Sequence, residues 1–122
     1  MSRTVVVVDD EDDIREIAVL SLSLQGWEAV PVSSGTEAVE AVASAGADAV
    51  LLDVMMPGQD GPATLAELHR DERTRHVPVV FLTAKTQARE RAELQAMGAA
   101  AVLEKPFDPV RLADDLAAVL GL

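Results

Sequence analysis

The sequence predicts an α/β fold in which a five-stranded parallel sheet lies between two layers of helices. Three observations carry that expectation. Short Val- and Leu-rich runs alternate five times with segments of helical spacing, and such alternation builds a parallel sheet through right-handed crossovers. Most of the runs lack the in-out alternation of a half-exposed sheet, so they read as strands covered on both faces. Pro31 falls inside the second run. Proline cannot complete an inner ladder, which sends that strand to a sheet edge. The strand order 2-1-3-4-5 meets all three, making this a flavodoxin-like (βα)5 three-layer sandwich with its switch point between strands one and three.

The elements follow in order. The strands are expected at residues 5–8, 29–32, 49–52, 77–82 and 100–103. In the first helix Ile14, Ile17, Ala18 and Ser21 keep the i, i+3, i+4, i+7 spacing, and Leu20 and Leu24 widen the stripe. Ser34 and Glu37 have the spacing of a capping box for the second helix, which buries Ala38, Ala41, Val42 and Ala45. The third helix begins near Pro62, with proline in its favoured first-turn place, and turns Leu65, Leu68 and His69 inward. The fourth covers residues 86–97 and stops at Gly98. The fifth takes Asp108 as N-cap with Pro109 behind it, and buries Leu112, Leu116, Val119 and Leu120. Trp27 belongs to the far end of the sheet as packing, and neither His69 nor His76 falls at a strand end.

Length and composition exclude several classes of function. With 122 residues, nearly half of them apolar and a quarter charged, the chain fits one globular domain covering residues 1–122. No apolar run approaches the ~18 residues of a membrane span, and the N-terminus lacks the pattern of a secretory signal. A cytoplasmic address is the resulting expectation. The absence of cysteine removes thiol catalysis, disulfides and cysteine-ligated zinc. A net charge of −11 opposes the phosphate backbone of nucleic acids, so this domain is not expected to bind DNA.

The chemistry gathers at the carboxyl ends of the strands. Asp9 and Asp10 follow strand one and begin an acidic run that continues through Glu11, Asp12 and Asp13. Asp53 follows strand three, Thr83 strand four, and Glu104-Lys105-Pro106 strand five. Three carboxylates brought together repel one another unless a cation or protons intervene. An all-oxygen donor set points to a hard ion, Mg²⁺ first. Phosphoryl transfer demands alignment and charge neutralisation more than covalent chemistry from the protein. Asp53 is then the nucleophile, Asp9 and Asp10 hold the metal, Lys105 is a second cation for the phosphoryl oxygens, and Thr83 donates a hydroxyl hydrogen bond.

The motifs Val-Asp9-Asp10, Leu-Leu-Asp53-Val-Met-Met-Pro57-Gly58-Gln-Asp60-Gly61, Leu-Thr83-Ala84 and Glu-Lys105-Pro106-Phe107 stand in sequence at four strand ends. Each alone is weak. Together they make the chain resemble, along its whole length, the receiver domain of bacterial response regulators. The resemblance implies phosphorylation of Asp53 by a histidine kinase or histidine phosphotransfer protein, with Mg²⁺ (or Mn²⁺ in its place) on Asp9, Asp10, Asp53 and the backbone carbonyl of Met55. It implies that Thr83 and Lys105 sense the phosphoryl group and that the Lys105–Pro106 peptide is a candidate for the cis form. It also implies that Met55 and Lys85 tune the access of hydrolytic water. The protein would be a signalling phosphoacceptor and not an enzyme, catalysing only its own phosphorylation and dephosphorylation. Its output would be altered docking of a downstream target or effector domain. The family's usual aromatic residue three positions before the lysine is replaced here by Val102. That replacement keeps open an alternative reading, a degenerate receiver that binds partners without phosphate, although the complete acid, Thr and Lys set argues against it.

Other classes fit less well. A phosphohydrolase of the Asp-x-Asp type matches Asp10-Glu11-Asp12 in spacing, but no insertion supplies a substrate pocket. A flavodoxin-type carrier needs a phosphate cradle after strand one, where this chain has five acids. A calcium loop starting at Asp9 lacks its glycine and terminal glutamate, with Ile14 and Leu20 at those places.

Overall fold

The computed structural model describes residues 3–84 and 87–122. Five parallel strands form one sheet in the order β2-β1-β3-β4-β5: β1 (Thr4–Val8), β2 (Glu28–Val32), β3 (Ala49–Asp53), β4 (Val79–Thr83) and β5 (Ala101–Glu104). The helices are α1 (Asp12–Leu24), α2 (Ala38–Ala45), α3 (Gly61–Arg70), α4 (Ala88–Ala96) and α5 (Leu112–Val119). The strand order and the edge position of β2 are as expected, and Pro31 pairs in register with Val7.

Period-two alternation sorts the strand side chains into two cores. Val6, Val8, Val50, Leu52, Val79 and Phe81 face one way, against Ala38 and Val42 of α2, Leu65 and Leu68 of α3 and Leu94 of α4. Val5, Val7, Ala49, Leu51, Val80 and Leu82 face the other, against Ala18 and Leu22 of α1 and Leu112, Ala113 and Leu116 of α5. Trp27 closes this second core. Apolar runs therefore sit in the strands because both faces are covered.

Several local expectations are corrected. In α1 the buried residues are Ala18, Ser21 and Leu22; Leu20 and Leu24 are 60% and 75% exposed. The helix lies on a sheet face already filled by valines, so only a narrow stripe is covered. Ser34 and Glu37 form no capping box. A short 3-10 turn (Gly35–Glu37) intervenes before α2, and the Ser34 hydroxyl meets that of Thr36 instead. Asp108 does not cap α5. Its carboxylate accepts from the N–H of Val110 at 2.9 Å in a turn, and α5 starts at Leu112. Val119 is exposed, and Ala113 takes the buried place. Val77 is buried but precedes β4, and β5 runs one residue later than expected. α4 ends at Ala96 with Met97 as its C-cap, and Gly98 follows with a φ of 107°. Lys85 and Thr86, where the sequence places the water-tuning position and the start of α4, lie outside the described residues. No helix among the described residues is long and apolar enough to cross a membrane.

Candidate functional site

Strand register assembles the site from distant parts of the chain. Val8 stands opposite Leu52 in the β1–β3 pair, which sets Asp9, the next residue, beside Asp53 at the end of β3. Thr83 stands opposite Glu104 at the ends of β4 and β5, and the Lys105 N–H donates to the Thr83 carbonyl at 2.8 Å. Lys105 thereby swings back over the rim.

The Lys105 ammonium lies 3.0 Å from Asp9 Oδ2, 3.2 Å from Asp53 Oδ1 and 3.5 Å from Glu11 Oε1. Asp9 is 1% exposed and Asp53 4%. The Asp9 carboxylate is oriented from behind, its Oδ1 accepting from the Glu11 N–H at 2.9 Å, while Arg15 donates to the Asp9 carbonyl at 2.8 Å. One oxygen from each of Asp9, Asp10 and Asp53 comes within 4.8 Å of the others. Among the described residues, Asp10 Oδ1 and Asp53 Oδ2 are buried without a hydrogen-bond partner, and Asp9 Oδ2 has only its ion pair with Lys105. Buried carboxylate oxygens left unpaired are costly. A compact, oxygen-only set of this kind suits a hard divalent cation.

The electrostatics follow from that geometry. Burial, then the negative charge of Asp9, raises the Asp53 carboxyl to about 6; Lys105 and the Met55 N–H pull it the other way. Burial depresses the Lys105 ammonium, but its hydrogen bond to Asp9 and the charges of Asp9 and Asp53 outweigh this, so its pKa is raised.

The loop after Asp53 is held close by backbone contacts. The Gly61 N–H donates to the Val54 carbonyl at 3.0 Å, and Asp60 caps α3 by accepting from the Ala63 N–H at 2.9 Å. A Cβ on Gly61 would stand 2.6 Å from the Asp53 carbonyl oxygen and 2.8 Å from Val54 Cα. Only glycine fits that approach.

Asp9, Asp10, Asp53 and Lys105 thus converge. Thr83 is the buried last residue of β4 and not a helix cap, since the N-cap of α4 is Gln87. The Met55 side chain is exposed while its backbone lies against Asp53. The Lys105–Pro106 peptide is cis. Val102 is half-buried opposite Phe81 and packs against the core on the α2–α4 side. Sequence reasoning missed Glu11 as a partner of Lys105. Nothing in a five-residue acidic run says which member reaches across the fold.

A model of the response regulator receiver domain matches residues 5–117. The chain belongs to the response regulator receiver domain family. Among relatives of this receiver domain is the phosphate regulon transcriptional regulatory protein PhoB of Pseudomonas aeruginosa, 34% identical over 98% of this chain and 52% of its own length. The protein of the same name from Escherichia coli is 35% identical with the same coverage. The receiver domain therefore spans about half the length of these curated relatives. Among solved structures, Vibrio cholerae chemotaxis protein CheY4 superposes with a TM-score of 0.90 at 29% identity, covering 98% of this chain and 99% of that one. The N-terminal domain of a receiver protein from Methanoculleus marisnigri has a TM-score of 0.78 at 34% identity, covering 98% and 97%.

Proposed function

We propose that this receiver domain, over residues 1–122, is a phosphoacceptor switch of a two-component His–Asp phosphorelay, taking its phosphoryl group onto Asp53. The observation that carries the reading is the Asp53 carboxylate itself. It is nearly inaccessible, with one oxygen on Lys105, the other without a hydrogen-bond partner among the described residues, and Asp9 and Asp10 alongside. Such a group is a nucleophile already aimed, lacking only the charge compensation that a phosphoryl donor and a cation bring.

The donor is a phosphohistidine on a histidine kinase or phosphotransfer protein. An Asp53 oxygen attacks phosphorus, the phosphorus–nitrogen bond breaks, and its electron pair stays on the imidazole, which takes a proton from solvent. Lys105 balances charge on the phosphoryl oxygens, and the Thr83 hydroxyl donates to one of them. Asp9, Asp10, Asp53 and the Met55 carbonyl would hold Mg²⁺, with Mn²⁺ an acceptable substitute. When bound, the ion supplies positive charge that offsets the phosphoryl oxygens. On this reading the protein acts in the cytoplasm, catalyses only its own phosphorylation and dephosphorylation, and signals by altered docking of a partner or effector domain. Val102 offers no ring to rotate, so movement of Thr83 towards the phosphoryl group would pass through the segment after β4. The acidic domain itself makes no DNA contact.

Intact mass spectrometry after incubation with Mg²⁺ and acetyl phosphate tests the proposal. The expected result is one added phosphoryl group, dependent on Mg²⁺ and absent from Asp53→Asn. An unmodified wild type with metal bound would sink it.

A further inference from the structure

Glu11 occupies the N-cap of α1, where a carboxylate ordinarily accepts from the N–H groups of the first helical turn. Here it makes no such bond. Its side chain, 62% exposed, instead reaches Lys105 across 94 residues of sequence, at 3.5 Å. Its own N–H meanwhile fixes the Asp9 carboxylate at 2.9 Å. Glu11 is therefore joined to the site twice, once through the main chain and once through the side chain.

The three carboxylates around the Lys105 ammonium are not equivalent. Asp9 and Asp53 are buried and belong to the cluster fitted to a cation; Glu11 stands at the rim outside it. A cation sharing the Asp9 and Asp53 oxygens weakens their hold on Lys105. The rim carboxylate is the one that keeps its contact. We infer that Glu11 is a positioning residue, holding the Lys105 ammonium over Asp53 once a divalent ion has engaged the two buried aspartates. The inference rests on the phosphoacceptor reading for its purpose, though the contact can be tested without it.

The site offers a clean probe, because the chain has only two lysines, Lys85 and Lys105. Protein labelled with ¹⁵N-lysine gives two side-chain ammonium signals, assigned with Lys105→Arg. In the presence of Mg²⁺, Glu11→Ala should broaden the Lys105 signal through faster exchange with water, and Glu11→Gln should lie between it and wild type. Asp13→Ala is the charge control, since it removes the same exposed charge from the same helix start. Kinetics with acetyl phosphate should separate the two variants. Both relieve repulsion of the anionic donor and lower its half-saturating concentration. Only Glu11→Ala should lower the maximal rate, by about two- to fivefold, the scale of one exposed ion pair. Equal Lys105 signals in wild type and Glu11→Ala, or equal maximal rates in Glu11→Ala and Asp13→Ala, would overturn the inference. If wild type takes no phosphate at all, the phosphoacceptor reading fails, and the Lys105 signal alone decides the role of Glu11.

Discussion

Asp53, the proposed phosphoacceptor, shows what a buried carboxylate costs its own fold. Its carboxyl is raised from the ordinary 3.8 to about 6, first by burial and then by Asp9. The folded state thus holds this proton more tightly than the unfolded chain does. The penalty is absent below pH 3.8, grows between 3.8 and 6 as the unfolded state ionises first, and is complete above 6. Its size is on the order of 3 kcal/mol. Metal-free Asp53→Asn should therefore be more stable than wild type at pH 7 to 8, by roughly 2–3 kcal/mol. The gap should close as pH falls through that window. Urea denaturation of both proteins across pH 4 to 8 checks this, and a constant or reversed difference would contradict it. That Asp53 is a candidate was legible from its place after an apolar strand. The raised pKa was not, because it depends first on burial under the assembled rim and then on Asp9, which is 44 residues away and adjacent only through strand register.

Among the elements, α1 separates what periodicity can reveal from what it cannot. Its apolar residues cover more of the circumference than the sheet can use, and only packing decides which are buried. Leu22 is fully enclosed with Val5, Val7 and Leu51 in the core beneath α1 and α5, while Leu20 points to solvent. Leu22→Ala should cost about 2–5 kcal/mol through lost burial and the cavity left behind. Leu20→Ala should stay within about 0.5 kcal/mol. Thermal or urea unfolding of the pair distinguishes them; similar losses would mean the helix is rotated from the position described. The caps show the same division. The third helix starts near Pro62 as expected, and Asp60 caps it by accepting from Ala63. Ser34 and Asp108 carry local cap signals in the sequence, yet a 3-10 turn and a wider turn take those residues first. Local chemistry proposes a helix start; the distance the chain must still travel to reach its place on the sheet disposes of it.

For the molecule as a whole, net charge bears on the proposed metal site. The chain carries −11 overall, and three of its acids meet at one rim. A ligand that binds only the folded state stabilises it by mass action, about 2.7 kcal/mol at a hundredfold excess over Kd. Mg²⁺ should accordingly raise the melting temperature of wild type beyond the effect of NaCl at matched ionic strength, and Asp9→Asn should lose most of that increment. Equal shifts from the two salts would reduce the rim to screened repulsion without a metal site. The same comparison measures how far general self-repulsion weakens the compact state.

By itself the sequence determined the strand order, the edge position of β2, and the identity of the residues at the strand ends. Those features rest on local chemistry: β-rich apolar runs, a proline that cannot complete an inner ladder, and polar groups placed directly after buried strands. Tertiary structure alone decided which face of α1 is covered, where α2 and α5 begin, and that Glu11, of five consecutive acids, is the one that reaches Lys105. Each of these depends on contacts between segments distant in the chain, and no short-range pattern encodes a distance across the fold.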